Sequence, residues 1–314
     1  MQTVRNRVLL LKEEASYGVD SNPTIAANAI EVANLKLNFQ ADLLDRNNVR
    51  SNISQTNPVV GKRWVEVSFD AEIKGSGSKG VAARLGDAFE ACSFAEYAVA
   101  GSSVAYKPTS SNQKTATIYI YDNDNTGSSV LHKITAAQGS FSIKATAGKY
   151  GVFSFTFKGL YNEPTDVVNP GSPTYDTTVP PIVENCAFTL NSNTDLIVQE
   201  LSIDIANNIG SRDDISSANG IKNFMVTSRA PKGNFNPEAM LVASYNFWSD
   251  WVGATQRELS LVIGSAAGNK VTISAPKVTL DSIADGERES LLTREIPFTL
   301  GQDSGDDEVE IKFE

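Results

Sequence analysis

The sequence predicts a mainly β protein built from two tandem halves, each a set of antiparallel strands with one flanking α-helix. Three observations carry this. Period-two alternation dominates the chain, only two stretches show helical spacing, and both halves present their elements in one order, including a parity switch in one strand of each. In WVEVSFDAEI, Val65, Val67, Phe69, Ala71 and Ile73 share one face, while Trp64, Glu66, Ser68, Asp70 and Glu72 share the other. One apolar and one polar face marks an antiparallel sheet, because a parallel strand covered on both sides reads apolar throughout.

The first half reads as a strand over 29–39, a polar loop DRNNVRSNIS over 45–54, a strand over 64–74, a helix, and strands over 117–121, 130–145 and 152–158. Its helix lies in VAARLGDAFEAC, where Leu85, Ala88, Phe89 and Cys92 recur at helical spacing. Within 130–145, Ile134 and Ala136 lie on one parity and Phe141 and Ile143 on the other. Side chains alternate strictly along a regular strand, so the switch predicts an inserted residue, a bulge, at Gly139.

The second half repeats the order: a strand over 200–206, the loop SRDDISSANG over 211–220, a strand over 222–228, a helix, and strands over 258–263, 269–281 and 293–300. Its helix is expected in NPEAMLVASYNFWSDW, with Asn236 as N-cap, Pro237 as first residue, and Met240, Ser244, Phe247, Trp248 and Trp251 on one face. Here the parity switch falls at Pro276. Two echoes accompany the order: Arg46-Asn47-Asn48-Val49 resembles Arg212-Asp213-Asp214-Ile215, and Phe155-Thr156-Phe157 resembles Phe298-Thr299-Leu300. A stretch rich in Pro, Thr and Asp without either periodicity separates the halves, giving a first domain over 1–163 with an N-terminal arm, a linker over 164–183 and a second domain over 184–314.

A chain of 314 residues fits two domains of ordinary size. No apolar run approaches the roughly 18–20 residues of a membrane span, and MQTVRNRVLLLKEE turns charged too early for a signal peptide, so the protein is expected to stay in the cytosol. Cys92 and Cys186 lie in separate halves without metal-site or disulfide spacing. A net charge of -10 argues against a surface that holds nucleic acid by neutralising phosphates.

Motifs that usually carry chemistry have plainer readings here. Gly75-Ser76-Gly77-Ser78-Lys79-Gly80 fits GxGxxG, but the strand before it alternates, so the glycines are read as a turn. Asp122-Asn123-Asp124-Asn125-Thr126-Gly127 opens like a calcium loop, yet Lys133 stands at the twelfth position, so a hairpin turn is expected. His132 is the only histidine and no nucleophile motif accompanies it. The pairs Asp213-Asp214 and Asp306-Asp307 read as solvated, and Asn52-Ile53-Ser54 is a sequon that a cytosolic protein would not use. The sequence therefore yields no catalytic residue, no cofactor site and no metal ligands.

Several segments taken together, KEEASYG, ANAIEV, DRNNVR, EIKGSGSKG, SVLHKITAAQGSFSI, FSFTFKGLY, SRDDI, TSRAPKGNFNPEA, GNKVTISAPK and GDDEVEIKF, resemble phage tail tube proteins of the long, two-domain kind. The resemblance implies two tandem tail-tube-like β-sandwich domains, each with a flanking α-helix. It further implies a structural virion protein that assembles, in the bacterial host cytoplasm, into stacked rings forming the tail. The implied rings are trimers with pseudo-sixfold symmetry, hexamers being the alternative, and their lumen passes DNA without sequence preference. Implied partners are tape measure, tail terminator and distal tail proteins, with no membrane.

The family's strand-to-strand loops reach an adjacent ring, which makes Asp45, Arg46, Arg50, Arg212, Asp213 and Asp214 the expected inter-ring contacts. Acidic lumen walls hold DNA off, and Glu66, Asp70 and Glu72 are the expected lumen-facing set. The competing reading is a β-sandwich that binds carbohydrate or a receptor, for which Tyr119 and Tyr121, with Trp64, would offer an aromatic platform.

Overall fold

A computed structural model describes all residues except Met1, Val4 and Asn125; the Asn125 position of the acidic turn therefore lies outside the described residues. The first half contains strands β1 (Arg7–Glu13), β2 (Ala29–Ile30), β3 (Ala33–Leu44) and β4 (Val59–Glu72), helix α1 (Gly86–Ala91), then β5 (Phe94–Val99), β6 (Ser103–Pro108), β7 (Ala116–Asn123), β8 (Ser128–Thr146), β9 (Val152–Tyr161) and β10 (Thr165–Val168). The second contains β11 (Ala187–Leu190), β12 (Val198–Asp204), β13 (Asn207–Asp213), β14 (Ile221–Arg229), β15 (Lys232–Pro237), helix α2 (Phe247–Val252), β16 (Arg257–Ile263), β17 (Val271–Leu280), β18 (Ala284–Arg288), β19 (Leu291–Gly301) and β20 (Glu310–Phe313). The protein is mainly β, and its strand pairings are antiparallel.

The long strand β8 organises the first half. Its leading part pairs with β7, which pairs with β1, and its trailing part lies between β9 and β12. The change of partner occurs at a bulge between Thr135 and Gln138, where Ala136 takes a φ of 53°. The bulge thus sits at Ala136 rather than Gly139. Gly139 serves the packing instead: a Cβ there would stand 2.5 Å from the Phe157 ring on the facing strand. In β17 the register shift falls between Ala275 and Val278, as Pro276 predicts.

The strand β1 was not legible by alternation because Val8–Leu11 is buried on both faces. Leu9 and Leu11 join the main core, and Val8 and Leu10 pack with Ala29 and Tyr119 on the other side. The helix α1 is buried along its length, with the Phe89 ring 5.0–6.2 Å from Tyr106, Phe141, Phe153, Phe155 and Phe313. Phe313 belongs to β20, so the core runs from one half into the other. The sheets do the same, through β8–β12 and β6–β20.

The expected second helix needs correction. Asn236 and Pro237 end β15, where the Asn236 carboxamide oxygen accepts the Gln199 and Glu200 amides of β12. The helix begins ten residues later, capped by Asn246, whose side chain accepts the Ser249 amide. Proline suits the last position of β15, where its missing N–H breaks no ladder. The strand matching 64–74 is consequently β15, not 222–228.

The pairing registers of the halves coincide at two constant offsets. In the β3–β4 hairpin Lys36 faces Ser68 and Leu37 faces Val67; in β12–β15 Ser202 faces Asn234 and Ile203 faces Gly233, each residue 166 positions on (202 − 36). The hairpin β13–β14 continues at the same offset: Leu43 and Val60 face each other, as do Ile209 and Val226. Later strands keep an offset of 141 (279 − 138): Gln138 faces Lys158, and Thr279 faces Thr299. The echo at Arg46 and Arg212 falls in register at 166 (212 − 46), while Phe157, not Phe155, is the counterpart of Phe298 (298 − 157 = 141).

Candidate functional site

A polar row crosses both halves on one sheet face. Across β4, β9, β8, β12, β15 and β19, Asp70, Ser154, Ser142, Asp204, Lys232 and Thr299 stand opposite one another in turn. Directly opposed residues share a face, so the row is one continuous solvent-accessible band, and the apolar residues between its members fill the core beneath. Glu66, Asp70 and Glu72 all lie on this face. Asp70 accepts hydrogen bonds from Asn34 at 2.7 Å and Ser154 at 2.6 Å, Glu66 lies 3.5 Å from Lys158, and Glu72 lies 3.5 Å from Lys74. The strand β4 therefore presents its acids to water, partly neutralised by neighbouring lysines.

The six loop candidates divide. Asp45, Arg46 and Arg50 are exposed in the segment joining β3 to β4, and Arg212 is exposed near the end of β13. Asp213 and Asp214 are engaged within the chain. Asp213 pairs with Lys62 at 2.5 Å, while Asp214 accepts the Ser216 amide at 3.0 Å, a bond that holds its carboxyl below the usual carboxylate range. Beside this pair, the Ala218 carbonyl accepts from Arg63, and Asn219 donates to the Tyr161 carbonyl at 2.8 Å. The second hairpin thus leans on the strand ends of the first half.

Sequence reasoning missed this joint. At its centre Glu200 to Asp204 pairs with Thr146 to Ser142, and Lys144 bridges to Glu200 at 3.0 Å. Asn207 donates to the Cys92 carbonyl at the end of α1 and to the Gly139 carbonyl. Gln113 exchanges two hydrogen bonds with the Val226 backbone, and the Tyr17 hydroxyl accepts the Phe224 amide. The glycine-rich turn completes the contact: the Gly75 amide donates to Asn269 at 2.8 Å, and a Cβ on Gly75 would stand 2.1 Å from the Gly268 carbonyl. Close backbone approach, not phosphate binding, is what its glycines provide.

The remaining sequence candidates occupy structural roles. His132 bonds to Asp122 at 3.0 Å, and Arg7 holds the other oxygen of that carboxylate. Asp306 accepts from Ser110 and Arg229, and Asp307 caps Asp303 and Ser304. Tyr119 is buried with its hydroxyl on Asp20, which removes it from any exposed aromatic platform. Glu13, Asp87 and Glu90 converge, and the Lys114 ammonium sits on two of them, 3.0 Å from Glu13 and 2.8 Å from Glu90. Among the described residues no helix is long and apolar enough to cross a membrane.

No curated protein matches the chain. A family model described as phage tail tube protein matches residues 5–314.

Proposed function

The chain belongs to the phage tail tube protein family, and from that premise we propose that it assembles with copies of itself into stacked rings whose lumen conducts DNA. The role is structural, in the virion tail. The observation that carries the reading is the polar row continuing from Asp70 across the joint to Thr299. One chain thereby supplies a two-part arc of wall, each part from one half, and three such arcs make a ring with pseudo-sixfold symmetry; six single copies are the alternative. The division into domains over 1–163 and 184–314 goes with this reading, the repeated registers being its support.

In the assembled tube Glu66, Asp70 and Glu72 face the lumen, where like charge keeps phosphates from binding. The exposed Asp45, Arg46, Arg50 and Arg212 reach the neighbouring ring, and Asp213 and Asp214 set the shape of the second loop. Tape measure, terminator and distal tail proteins meet the tube along its lumen and at its ends, and assembly takes place in the host cytoplasm. Negative-stain electron microscopy of the purified protein at rising concentration tests the proposal. Annular discs or hollow rods are expected; solitary molecules up to the solubility limit would overturn it and leave the carbohydrate- or receptor-binding alternative.

A further inference from the structure

Asn219-Gly220 is the single Asn-Gly step of the chain, and it lies at the tip of the β13–β14 hairpin, between Asp213 and Ile221. The step is chemically labile for a steric reason: glycine has no Cβ to shield its amide nitrogen, so that nitrogen can reach the carboxamide carbon of the asparagine before it. The first hairpin has no such step. Its equivalent residues are Ile53-Ser54 (219 − 53 = 166).

In the folded chain both reacting groups are held. The Asn219 carboxamide donates to the Tyr161 carbonyl on β9 at 2.8 Å, a bond that spans the joint between the halves. The Gly220 amide donates to the Ser217 carbonyl at 2.9 Å, inside the hairpin tip. That tip rests on β4, where Arg63 donates from its backbone to the Asn219 carbonyl and from its guanidinium to the Ala218 carbonyl, at 3.4 and 3.3 Å. Further along the hairpin, Tyr17 and Gln113 of the first half accept the Phe224 and Val226 amides. An amide nitrogen attacks only after losing its proton, and a carboxamide is attacked only after turning toward that nitrogen. Hydrogen bonds on the two groups oppose both events.

We propose that Asn219-Gly220 is a site of spontaneous deamidation guarded by the docked joint, so that an opening of the joint becomes irreversible. With the hairpin undocked, the deprotonated Gly220 nitrogen attacks the Asn219 Cγ. The new N–Cγ bond closes a succinimide ring, and the Cγ–Nδ2 bond breaks to release ammonia, which takes up the proton lost from Gly220. Water then opens the ring at either carbonyl, leaving aspartate or isoaspartate at position 219. Neither product restores the joint. A carboxylate has no N–H to give the Tyr161 carbonyl and sets acceptor against acceptor, and isoaspartate also adds a methylene to the main chain. The inference concerns the single molecule and holds whether or not copies assemble.

Mass spectrometry of the full-length protein, held in mildly alkaline buffer and then digested in acid, reads the exchange of amide for acid at position 219. Tyr17→Phe removes one hydrogen bond across the joint and Gln113→Ala removes two, and both leave Asn219 and its own bonds unaltered. Tyr17 is 40% exposed, so Tyr17→Phe folds even where Gln113→Ala does not. Conversion is expected to be slowest in the parent, faster by roughly twofold to tenfold per bond removed, and fastest in the parent unfolded in guanidinium chloride. Equal rates in the folded and unfolded parent would overturn the protection. A rate raised by unfolding but by neither variant would assign it to the local turn and overturn the role of the joint. Hydrogen exchange on Asn219→Asp tests the consequence: the Phe224 and Val226 amides are expected to lose protection, and protection equal to the parent's would overturn the irreversible step.

Discussion

The carboxylate of Glu14 accepts the backbone amide of Ala136 at 2.8 Å, fixing the point at which β8 changes partner. The same buried carboxylate accepts the Gly18 amide and the hydroxyls of Thr115 and Thr117, at 2.6–2.8 Å. Removing it leaves three buried donors, and the half-buried Gly18 amide, without an acceptor. Glu14→Ala is expected to cost about 2–4 kcal/mol in urea unfolding. A change within about 0.5 kcal/mol, the usual range of inert surface substitutions, would mean that the strands hold the bulge by themselves.

Asp250 in α2 is buried and takes Arg257 in a two-pronged pair, at 2.6 and 3.0 Å, with the Tyr245 hydroxyl at 2.7 Å. Arg257→Ala strands the Asp250 charge, and an expected loss of about 3–5 kcal/mol follows from breaking one side of a buried pair. The double variant Asp250→Ala with Arg257→Ala is expected to be less damaged than the sum of the single ones, since no charge is then stranded. Strict additivity in the thermodynamic cycle would refute the coupling.

What the sequence made legible was whatever obeyed a single period. Val65 to Ile73 alternates because β4 has water on one face, and Leu85 to Cys92 shows helical spacing because α1 has one core to meet. Val8–Leu11 escaped because both of its faces are buried, and Asn236-Pro237 misled because a cap signature is equally a polar strand end. The short strands β5, β6, β10, β11 and β18 are too brief to establish a period. The joint between the halves depends on pairing between distant strands, which alternation does not specify. Its one sequence trace was the echo of Arg46 in Arg212, whose spacing equals the hairpin offset.

Stability is expected to fall as pH rises from 5 to 8. Burial pushes the Glu90 carboxyl up to about 7, with Glu13 adding to the rise and Lys114 opposing it, and burial raises Asp87 too. The folded chain then binds the Glu90 proton more tightly than the unfolded chain, whose value is 4.5. The resulting stabilisation is complete below the unfolded value and is lost as pH climbs through the folded one. Glu90→Gln is expected to flatten the profile and to stabilise at pH 8 by on the order of 1–3 kcal/mol. A variant as pH-dependent as the parent in thermal melts would assign the slope to other groups.

Charge reversal separates ring formation from stacking. Arg46→Glu and Arg212→Glu change exposed side chains outside the β8–β12 joint, so folding and discs are expected to survive. In the proposed tube, contacts between rings recur around the circumference, so a small loss per contact multiplies. Electron micrographs are expected to show discs with few or no rods, and sedimentation at high protein concentration should stop at the ring. Rods of ordinary length from both variants would take these arginines out of the inter-ring contact.

Lysines in place of the proposed lumen acids are expected to turn a non-binding wall into a binding one. Glu66 and Glu72 lie on the polar face and make only long contacts, ion pairs of 3.5 Å with Lys158 and Lys74 and, for Glu66, a 3.4 Å hydrogen bond accepted from the Trp64 indole, so Glu66→Lys with Glu72→Lys should fold and assemble. In rings these lysines repeat around a narrow passage, and each captured phosphate adds to the salt dependence of binding. Short duplex DNA mixed with variant tubes at low salt is expected to bind, to be released as salt rises, and to resist nuclease while bound. The resistance decides the geometry, because a lumen excludes the nuclease and an outer wall does not. Duplex that binds but is digested at the rate of free DNA would put β4 on the outside of the tube.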